Sequence, residues 1–167
     1  MSLSDRRRLI LGLAGGTAAS LLSGCFRPML AEGSDQASLR GRISLPEIDG
    51  RFGYFLYRSL EDRLGKPDET EWMLEVQSRV TKQGFAVAQD NSVTRFTLTA
   101  VADWKLRKRS TGKVVLSERS TSQSGFSATT SPFATRQTEQ DIERRLARDI
   151  GERISRRIYA RAGVLSG

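Results

Sequence analysis

The chain has 167 residues, enough for one domain of ordinary size, and its 38% hydrophobic and 28% charged residues are typical of a globular protein. It carries 27 Lys and Arg against 19 Asp and Glu, a formal charge of +8, with no histidine and a single cysteine. This composition excludes histidine-based catalytic triads and dyads, histidine-containing zinc sites, thiolate clusters and intrachain disulfides, whereas enzymes that use carboxylates or lysines remain open.

The first 24 residues have the pattern of an export signal. Arg6–Arg8 precede a mostly apolar stretch, Leu9–Leu22, and two small residues, Ser23-Gly24, follow it. This stretch has the length of a signal's apolar region, roughly 7–15 residues, and is shorter than the roughly 20 residues of a membrane-spanning helix. We therefore predict a cleaved signal at 1–24. The segment Asp5–Ile10 is similar to a twin-arginine export motif, and the general secretory route stays equally open.

The sole cysteine, Cys25, directly follows the predicted signal. The segment Leu22–Cys25 resembles the lipobox of bacterial lipoproteins. The resemblance implies that the thiol takes a diacylglyceryl group, that the chain is cut before Cys25, and that the new amine is acylated, commonly by palmitate. Several acyl chains anchor a protein stably, at roughly 0.8 kcal/mol per buried methylene. Phe26 stands where similar lipoproteins kept in the inner membrane have Asp, which favours the outer membrane; the alternative is a free, buried cysteine.

The chain that remains after residues 1–24 is still basic, with a charge of +6 from 24 basic and 18 acidic residues. Residues 25–38 contain several small polar residues and no sustained period, and they predict a lipidated tether. Residues 39–162 predict a single α+β domain, and 163–167 a short C-terminal tail. We find no internal repeat.

The domain opens with a strand and a helix. A short apolar-rich run from Leu39 to Ile48, which contains Pro46, predicts a first strand. Apolar residues then recur at steps of three and four: Phe52, Phe55, Leu56, Leu60 and Leu64. This spacing predicts a helix with one apolar face, with Asp49 as its N-cap and Gly65 as a left-handed residue at its end.

Two longer segments alternate apolar and polar residues. The apolar positions are Trp72, Leu74, Val76 and Val80 in the first, and Phe96, Leu98, Ala100, Ala102, Trp104 and Leu106 in the second. A period of two predicts strands buried on one face. Ser110–Gly112 predicts the turn of an antiparallel hairpin into Val114–Leu116. The polar run Ser117–Ser124 predicts that the returning strand lies at an edge or half faces solvent.

A long helix follows the strands. Ser131-Pro132 supplies a capping hydroxyl and a proline suited to the first helical position. A ridge of isoleucine and leucine then runs at steps of four: Ile142, Leu146, Ile150, Ile154 and Ile158. Spacing also predicts three ion pairs along this helix: Asp141 with Arg145, Asp149 with Arg153, and Glu152 with Arg156. Its arginines are therefore expected to form a solvated face. Together the elements predict an α+β fold, with a small mixed or antiparallel sheet of about four strands and two helices packed on one face.

The densest group of cations, named here the basic hairpin tip, surrounds the predicted turn. Its members are Lys105, Arg107, Lys108, Arg109 and Lys113. Strand geometry predicts that Lys105, Arg107 and Arg109 share the face opposite Trp104. Such a row can bind phosphates or carboxylates, or it can merely protect an exposed edge and keep the protein soluble. Nucleic acid is not expected as a partner, because no recognition motif is visible and an exported, lipid-anchored domain seldom meets it.

The sequence resembles the LptE family of LPS-assembly lipoproteins in its alphaproteobacterial form. Three segments carry the resemblance: Leu22–Met29, Trp104–Val115, and Ser131–Thr135 leading into Glu139–Ala147. The resemblance implies a compact sheet with two helices that lodges as a plug in the lumen of the outer-membrane LptD β-barrel. The pair would transport lipopolysaccharide to the outer leaflet, with the basic hairpin tip as the candidate contact. The resemblance also implies that the chain has no catalytic residues and binds no cofactor.

Two other functions stay open at this point. One is a free-standing, periplasm-facing lipoprotein that binds an anionic polymer or a membrane surface. The other is a carboxylate- or lysine-based hydrolase, which would need acidic groups converging in a cleft. Co-purification with a barrel separates the plug from the free-standing lipoprotein.

Overall fold

The structure, a computed structural model, describes residues 35–87 and 93–165. Four helices lie in these ranges: α1 (Asp35–Leu39), α2 (Gly50–Leu64), α3 (Pro132–Tyr159) and α4 (Ala162–Leu165). Four strands accompany them: β1 (Ile43–Ser44), β2 (Trp72–Val87), β3 (Val93–Lys108) and β4 (Val114–Ser127). The predicted signal and Cys25 lie outside the described residues. Short helices occupy the end of the segment predicted as a tether and most of the predicted tail.

The strands form one mixed sheet in the order β1-β2-β3-β4. β1 pairs in parallel with β2, so β1, α2 and β2 form a βαβ unit, and β2, β3 and β4 pair antiparallel. β1 is shorter than the apolar run that predicted it, because Pro46 has no N–H to offer a ladder. β4, predicted as an edge or half-solvated strand, closes one side of the sheet within the described residues.

The alternation of apolar and polar residues fixes the two faces of the sheet. β2 and β3 pair from Trp72 opposite Lys108 onward, with Val76 opposite Trp104. The apolar set of β3 lies on one face and is mostly buried there. The predicted turn is confirmed: the N–H of Gly112 donates to the carbonyl of Lys108, and Gly112 has a φ of 68° that favours glycine.

Helix α2 confirms the predicted apolar face, of which Phe55 is half-buried and the other members are buried. Asp49 occupies the N-cap position, but the expected capping hydrogen bond from its side chain is not made. Gly50 has a φ of 81°, so the chain bends between Asp49 and the helical amides. Gly65 ends the helix with a positive φ of 84°, as predicted, although its ψ of 161° is extended rather than left-handed helical.

Helix α3 begins where the sequence predicts. The Oγ of Ser131 accepts a hydrogen bond from the N–H of Ala134 at 3.4 Å, and Pro132 is the first helical residue. All five members of the predicted ridge are buried, and each such side chain stabilises the fold by about 1.5–3 kcal/mol. Within the described residues, no helix combines the length and the apolarity needed to cross a bilayer.

Helices α2 and α3 lie side by side on the apolar face of the sheet. They run in the same direction, since Arg51 at the start of α2 contacts Glu143 in the middle of α3, and Arg63 near the end of α2 accepts a hydrogen bond at its carbonyl from Tyr159 at the end of α3. Glu143 is 7% exposed and accepts two hydrogen bonds from the guanidinium, at 2.8 and 2.6 Å. These bonds raise the pKa of Arg51. The α+β fold with two helices on one face of a four-stranded mixed sheet is thus confirmed.

One end of the domain, named here the hairpin end, joins several elements through backbone hydrogen bonds. The N–H of Gly41 donates to the carbonyl of Leu64, and the N–H of Glu71 donates to the carbonyl of Arg42. The N–H of Arg109 in turn donates to the carbonyl of Glu71. α1 packs against α4 at this end. The described chain therefore begins, in α1, at the same end at which the β3–β4 hairpin turns.

Candidate functional site

The face of the sheet opposite the helices, named here the open face, is predominantly polar. Its polar members are Glu75, Gln77, Arg79, Thr81 and Gln83 on β2, Thr97, Thr99, Asp103, Lys105 and Arg107 on β3, and Ser117, Arg119, Thr121 and Gln123 on β4. Among the described residues, no helix or strand covers this face. Successive side chains of a strand point to opposite faces of the sheet, so the polar residues lie on this face and the apolar residues between them lie on the face that the helices cover.

A ladder of charges crosses three strands of the open face. Asp103 on β3 accepts hydrogen bonds from Arg119 on β4 at 2.6 Å and from Arg79 on β2 at 3.1 Å. The bond from Arg119 is the main cause that holds the pKa of Asp103 below its usual range, and it raises the pKa of Arg119. The carboxylate therefore stays ionised at neutral pH, and the ladder carries one surplus positive charge.

A shallow depression of about 480 Å³ lies beside this ladder. Its lining includes Glu75, Gln77, Asp103, Lys105, Ser117 and Arg119. Donors and acceptors of both charges stand close together here, so the depression suits a hydrogen-bonding partner of mixed polarity better than an apolar one.

The basic hairpin tip does not form one continuous row. Lys105 lies on the open face, is exposed and has no ionic partner among the described residues. Arg107 shares that face but is engaged: its guanidinium contacts Glu75 at 3.2 Å and donates to the carbonyl of Gly112 at 2.6 Å. Lys105 is thus the freer of the two cations for a ligand.

Arg109 lies one residue beyond the end of β3, and its N–H donates to the carbonyl of Glu71, so the prediction that it shares the open face stays a prediction. The guanidinium of Arg109 donates to the hydroxyl of Thr70. Lys108 lies toward the helix side, with its Nζ 5.6 Å from the centre of the Trp72 ring. Lys113, across the turn, has no ionic partner in the described part of the chain.

The arginines of α3 are paired differently from the prediction. Glu152 pairs with Arg156 as expected, at 3.4 Å. Asp141 pairs with Arg144 instead of Arg145, because residues three apart also face each other on a helix. The carboxylate of Asp149 accepts a hydrogen bond at 3.2 Å from the hydroxyl of Ser122, across the interface between α3 and β4. Asp149 does not pair with Arg153.

Two further sequence predictions concern bound groups. Cys25, the predicted lipidation site, lies outside the described residues, and its role stays a prediction. Within residues 35–87 and 93–165, no group of three or more Asp, Glu, Cys or His side chains could hold a metal ion.

The fold and the open face define a class of protein: a small α+β domain whose sheet is covered by helices on one side and offers hydrogen-bonding groups on the other. Comparison with protein families then identifies the particular family. The chain belongs to the LptE (lipopolysaccharide-assembly) family, whose profile matches residues 38–158. This membership confirms the resemblance and makes the chain a lipopolysaccharide-assembly lipoprotein.

Solved structures show the same fold. A candidate lipoprotein from Caulobacter crescentus CB15 is 25% identical, with a TM-score of 0.61 over 77% of this chain and 96% of that chain. Rare lipoprotein B from Shewanella oneidensis is 10% identical, with a TM-score of 0.58 over 75% and 98%. A minor lipoprotein from Acinetobacter baumannii is 15% identical, with a TM-score of 0.56 over 73% and 93%. The last two show the fold alone. Comparison with curated proteins gives no match.

Proposed function

We propose that this chain is an outer-membrane lipoprotein, anchored through Cys25, that lodges in the LptD β-barrel and supports its assembly. In that complex it takes part in transporting lipopolysaccharide to the outer leaflet and carries out no catalytic step of its own. The observation that supports the plug is the open face. The lumen of a large outer-membrane barrel is polar, and a polar sheet face gives it hydrogen-bonding partners.

The length of the open face also suits a barrel lumen. β2 and β3 have 16 residues each. At roughly 3.3 Å per residue each strand extends about 50 Å, about twice the roughly 25 Å height of a barrel's apolar band. One strand pair can therefore line the whole membrane height of a barrel with polar side chains. The Arg79–Asp103–Arg119 ladder would stand within this lining.

Co-purification tests the plug. We expect the chain to leave detergent extracts with a β-barrel protein in a fixed ratio. The variant Arg79→Gln/Arg119→Gln removes the cations of the ladder and should lower the recovered barrel several-fold, because an interface loses charge-assisted hydrogen bonds. The amount of barrel bound per chain is measured by quantitative mass spectrometry.

The matched control is Arg145→Gln/Arg148→Gln, which removes the same charge from exposed positions on the helix side. It should leave the ratio unchanged. Thermal unfolding of all three chains shows whether a variant merely fails to fold. A chain that is extracted alone contradicts the plug and supports the free-standing lipoprotein.

Direct contact with lipopolysaccharide is assigned to the basic hairpin tip. Lipopolysaccharide is polyanionic, and Lys and Arg side chains bind phosphate. Replacing Lys105, Arg107, Lys108 and Arg109 by alanine should weaken its binding about tenfold or more at low salt and flatten the dependence of the affinity on salt. Fluorescence anisotropy with labelled lipopolysaccharide measures both effects.

Two additional variants separate charge from structure in this test. Lys105→Ala/Lys113→Ala removes two members that have no ionic partner in the described residues and leaves the contact between Arg107 and Glu75 intact. This double variant should lose part of the lipopolysaccharide affinity that the four-alanine variant loses. A control that replaces four exposed cations of α3 by alanine should bind normally: Arg136, Arg145, Arg148 and Arg153. Unchanged binding by the hairpin-tip variant refutes the contact.

A further inference from the structure

A pocket of about 350 Å³ opens at the hairpin end. Its apolar lining comes from Trp72, Val115, Leu116, Val164 and Leu165, and its cations are Lys108, Lys113 and Arg161. An apolar lining with several cations is the pattern of a site for an anionic amphiphile, because the head and the chain of such a ligand each meet matching groups.

The three cations have no acidic partner among the described residues. They come from three different elements: Lys108 from the end of β3, Lys113 from the turn, and Arg161 from the link between α3 and α4. On α3, by contrast, Arg144 and Arg156 pair with acids, and Arg145 and Arg148 line a depression that also contains Asp62 and Asp141. Positive charges that converge without a counter-charge favour an anion between them.

The indole of Trp72 provides an independent observation. Trp72 is 3% exposed and lines the pocket, yet its buried Nε1–H has no acceptor among the described residues. Buried donors almost always have an acceptor. A phosphate or ester oxygen of a ligand in the pocket could provide one with a small shift of the ring.

Exposed apolar side chains flank the same cations. Val164 is 78% exposed on α4, and Val114 is exposed at the start of β4 beside Lys113. Exposed apolar residues among Lys and Arg are typical of surfaces that rest at the interface of an anionic membrane. The combination is therefore better suited to a lipid surface than to a soluble polyanion.

The anchor would hold this end near the membrane. The described chain begins at Asp35, at the hairpin end, and nine residues separate it from Cys25. Because a residue spans at most about 3.6 Å, the start of α1 lies within about 35 Å of the anchored cysteine. This step rests on the lipidation of Cys25 in the proposed function.

From these observations we infer that the hairpin end docks on the leaflet that holds the anchor, and that the pocket binds the phosphate of an anionic glycerophospholipid. Lys108, Lys113 and Arg161 hold the phosphate, and Val164 and Leu165 contact the upper part of an acyl chain. Lys105 and Arg107, the members of the hairpin tip on the open face, remain for lipopolysaccharide.

Vesicle flotation of the mature chain, residues 25–167 with Cys25→Ser, tests this docking without the anchor. Vesicles are either pure phosphatidylcholine or an equal mixture of phosphatidylcholine and phosphatidylglycerol. The chain should bind only the mixture. Replacing Lys108, Lys113 and Arg161 by glutamine should weaken this binding more than about tenfold. The matched control, with Arg145, Arg148 and Arg153 replaced by glutamine, should bind within about twofold of the parent.

Quenching by a brominated phosphatidylglycerol gives a second measurement. The chain has two tryptophans, so Trp104→Phe leaves Trp72 as the sole reporter. Its fluorescence should be quenched by the brominated lipid, and Val164→Asp should reduce the quenching. This readout remains informative if the triple variant folds poorly.

Three results overturn the inference: equal binding to both vesicles, equal losses in the triple variant and its control, or a triple variant that loses lipopolysaccharide but keeps phosphatidylglycerol. The last result assigns the pocket to lipopolysaccharide. The proposed function is judged separately, by recovery of the barrel with the lipidated chain and by labelling of Cys25.

Discussion

Replacing Cys25 by serine is expected to abolish incorporation of labelled fatty acid and to release the chain from the membrane fraction. Transfer of the diacylglyceryl group needs a thiol nucleophile, and the sequence contains no other cysteine. Without the acyl chains the large free energy of their burial, roughly 0.8 kcal/mol per methylene, is lost. Metabolic labelling followed by fractionation measures both effects.

The control for this variant is Ser23→Ala, which keeps a small residue before the cysteine. It should be labelled and anchored like the parent chain. Persistent labelling of Cys25→Ser would show that the lipid is attached elsewhere. Equal loss of membrane association in both variants would place the defect in export instead of lipidation.

Replacing Gly53 by alanine is expected to lower the free energy of unfolding by about 2 kcal/mol or more. Gly53 is buried in α2, against the chain that leads into the helix. A Cβ at this position would lie 2.3 Å from the carbonyl oxygen of Ile48 and 2.7 Å from its carbonyl carbon. These are backbone atoms, so α2 or the preceding segment must shift. The gain in helix propensity, about 1 kcal/mol, offsets only part of the cost.

Gly125→Ala provides the matched comparison, because its Cβ would meet only the carbonyl oxygen of Phe96 at an ordinary 3.6 Å. Urea unfolding should show a change within about 0.5 kcal/mol for this variant. Equal stabilities of the two alanine variants would mean that the contact with Ile48 relaxes at no cost. The approach of α2 to Ile48 would then not be a constraint on the fold.

The long strands β2 and β3 and the two long helices could be predicted because each shows a sustained period of apolar residues, and the hairpin because a glycine-containing turn joins two strands. Trp104 and Leu106 alternate with polar residues over a long strand, and the ridge from Ile142 to Ile158 keeps its step of four. A period reports which face is buried, and burial is the largest local constraint on the chain. The start of α3 at Ser131-Pro132 could also be predicted, because the capping of a helix depends only on neighbouring residues.

Other features were missed or predicted differently, most of them because they depend on distant packing. Asp49 stands at the N-cap without the expected side-chain bond, because Gly50 redirects the chain. The parallel pairing of β1 with β2 brings together Ile43 and Trp72. β1 has only two residues, and a pattern of that length cannot predict which strand it pairs with. The partner of Asp149 is Ser122 on a strand, which no helical spacing could indicate.

The candidate sites divide in the same way. The sequence by itself determined the lone cysteine behind its apolar stretch, the surplus of cations and their concentration around one turn, since these are local properties of the chain. The tertiary structure decided which cations remain available: it engages Arg107 and Arg109, leaves Lys105 on the open face, and brings Arg161 beside Lys108 and Lys113. Residues about fifty positions apart meet only after the helices pack on the sheet, and no local pattern records that encounter.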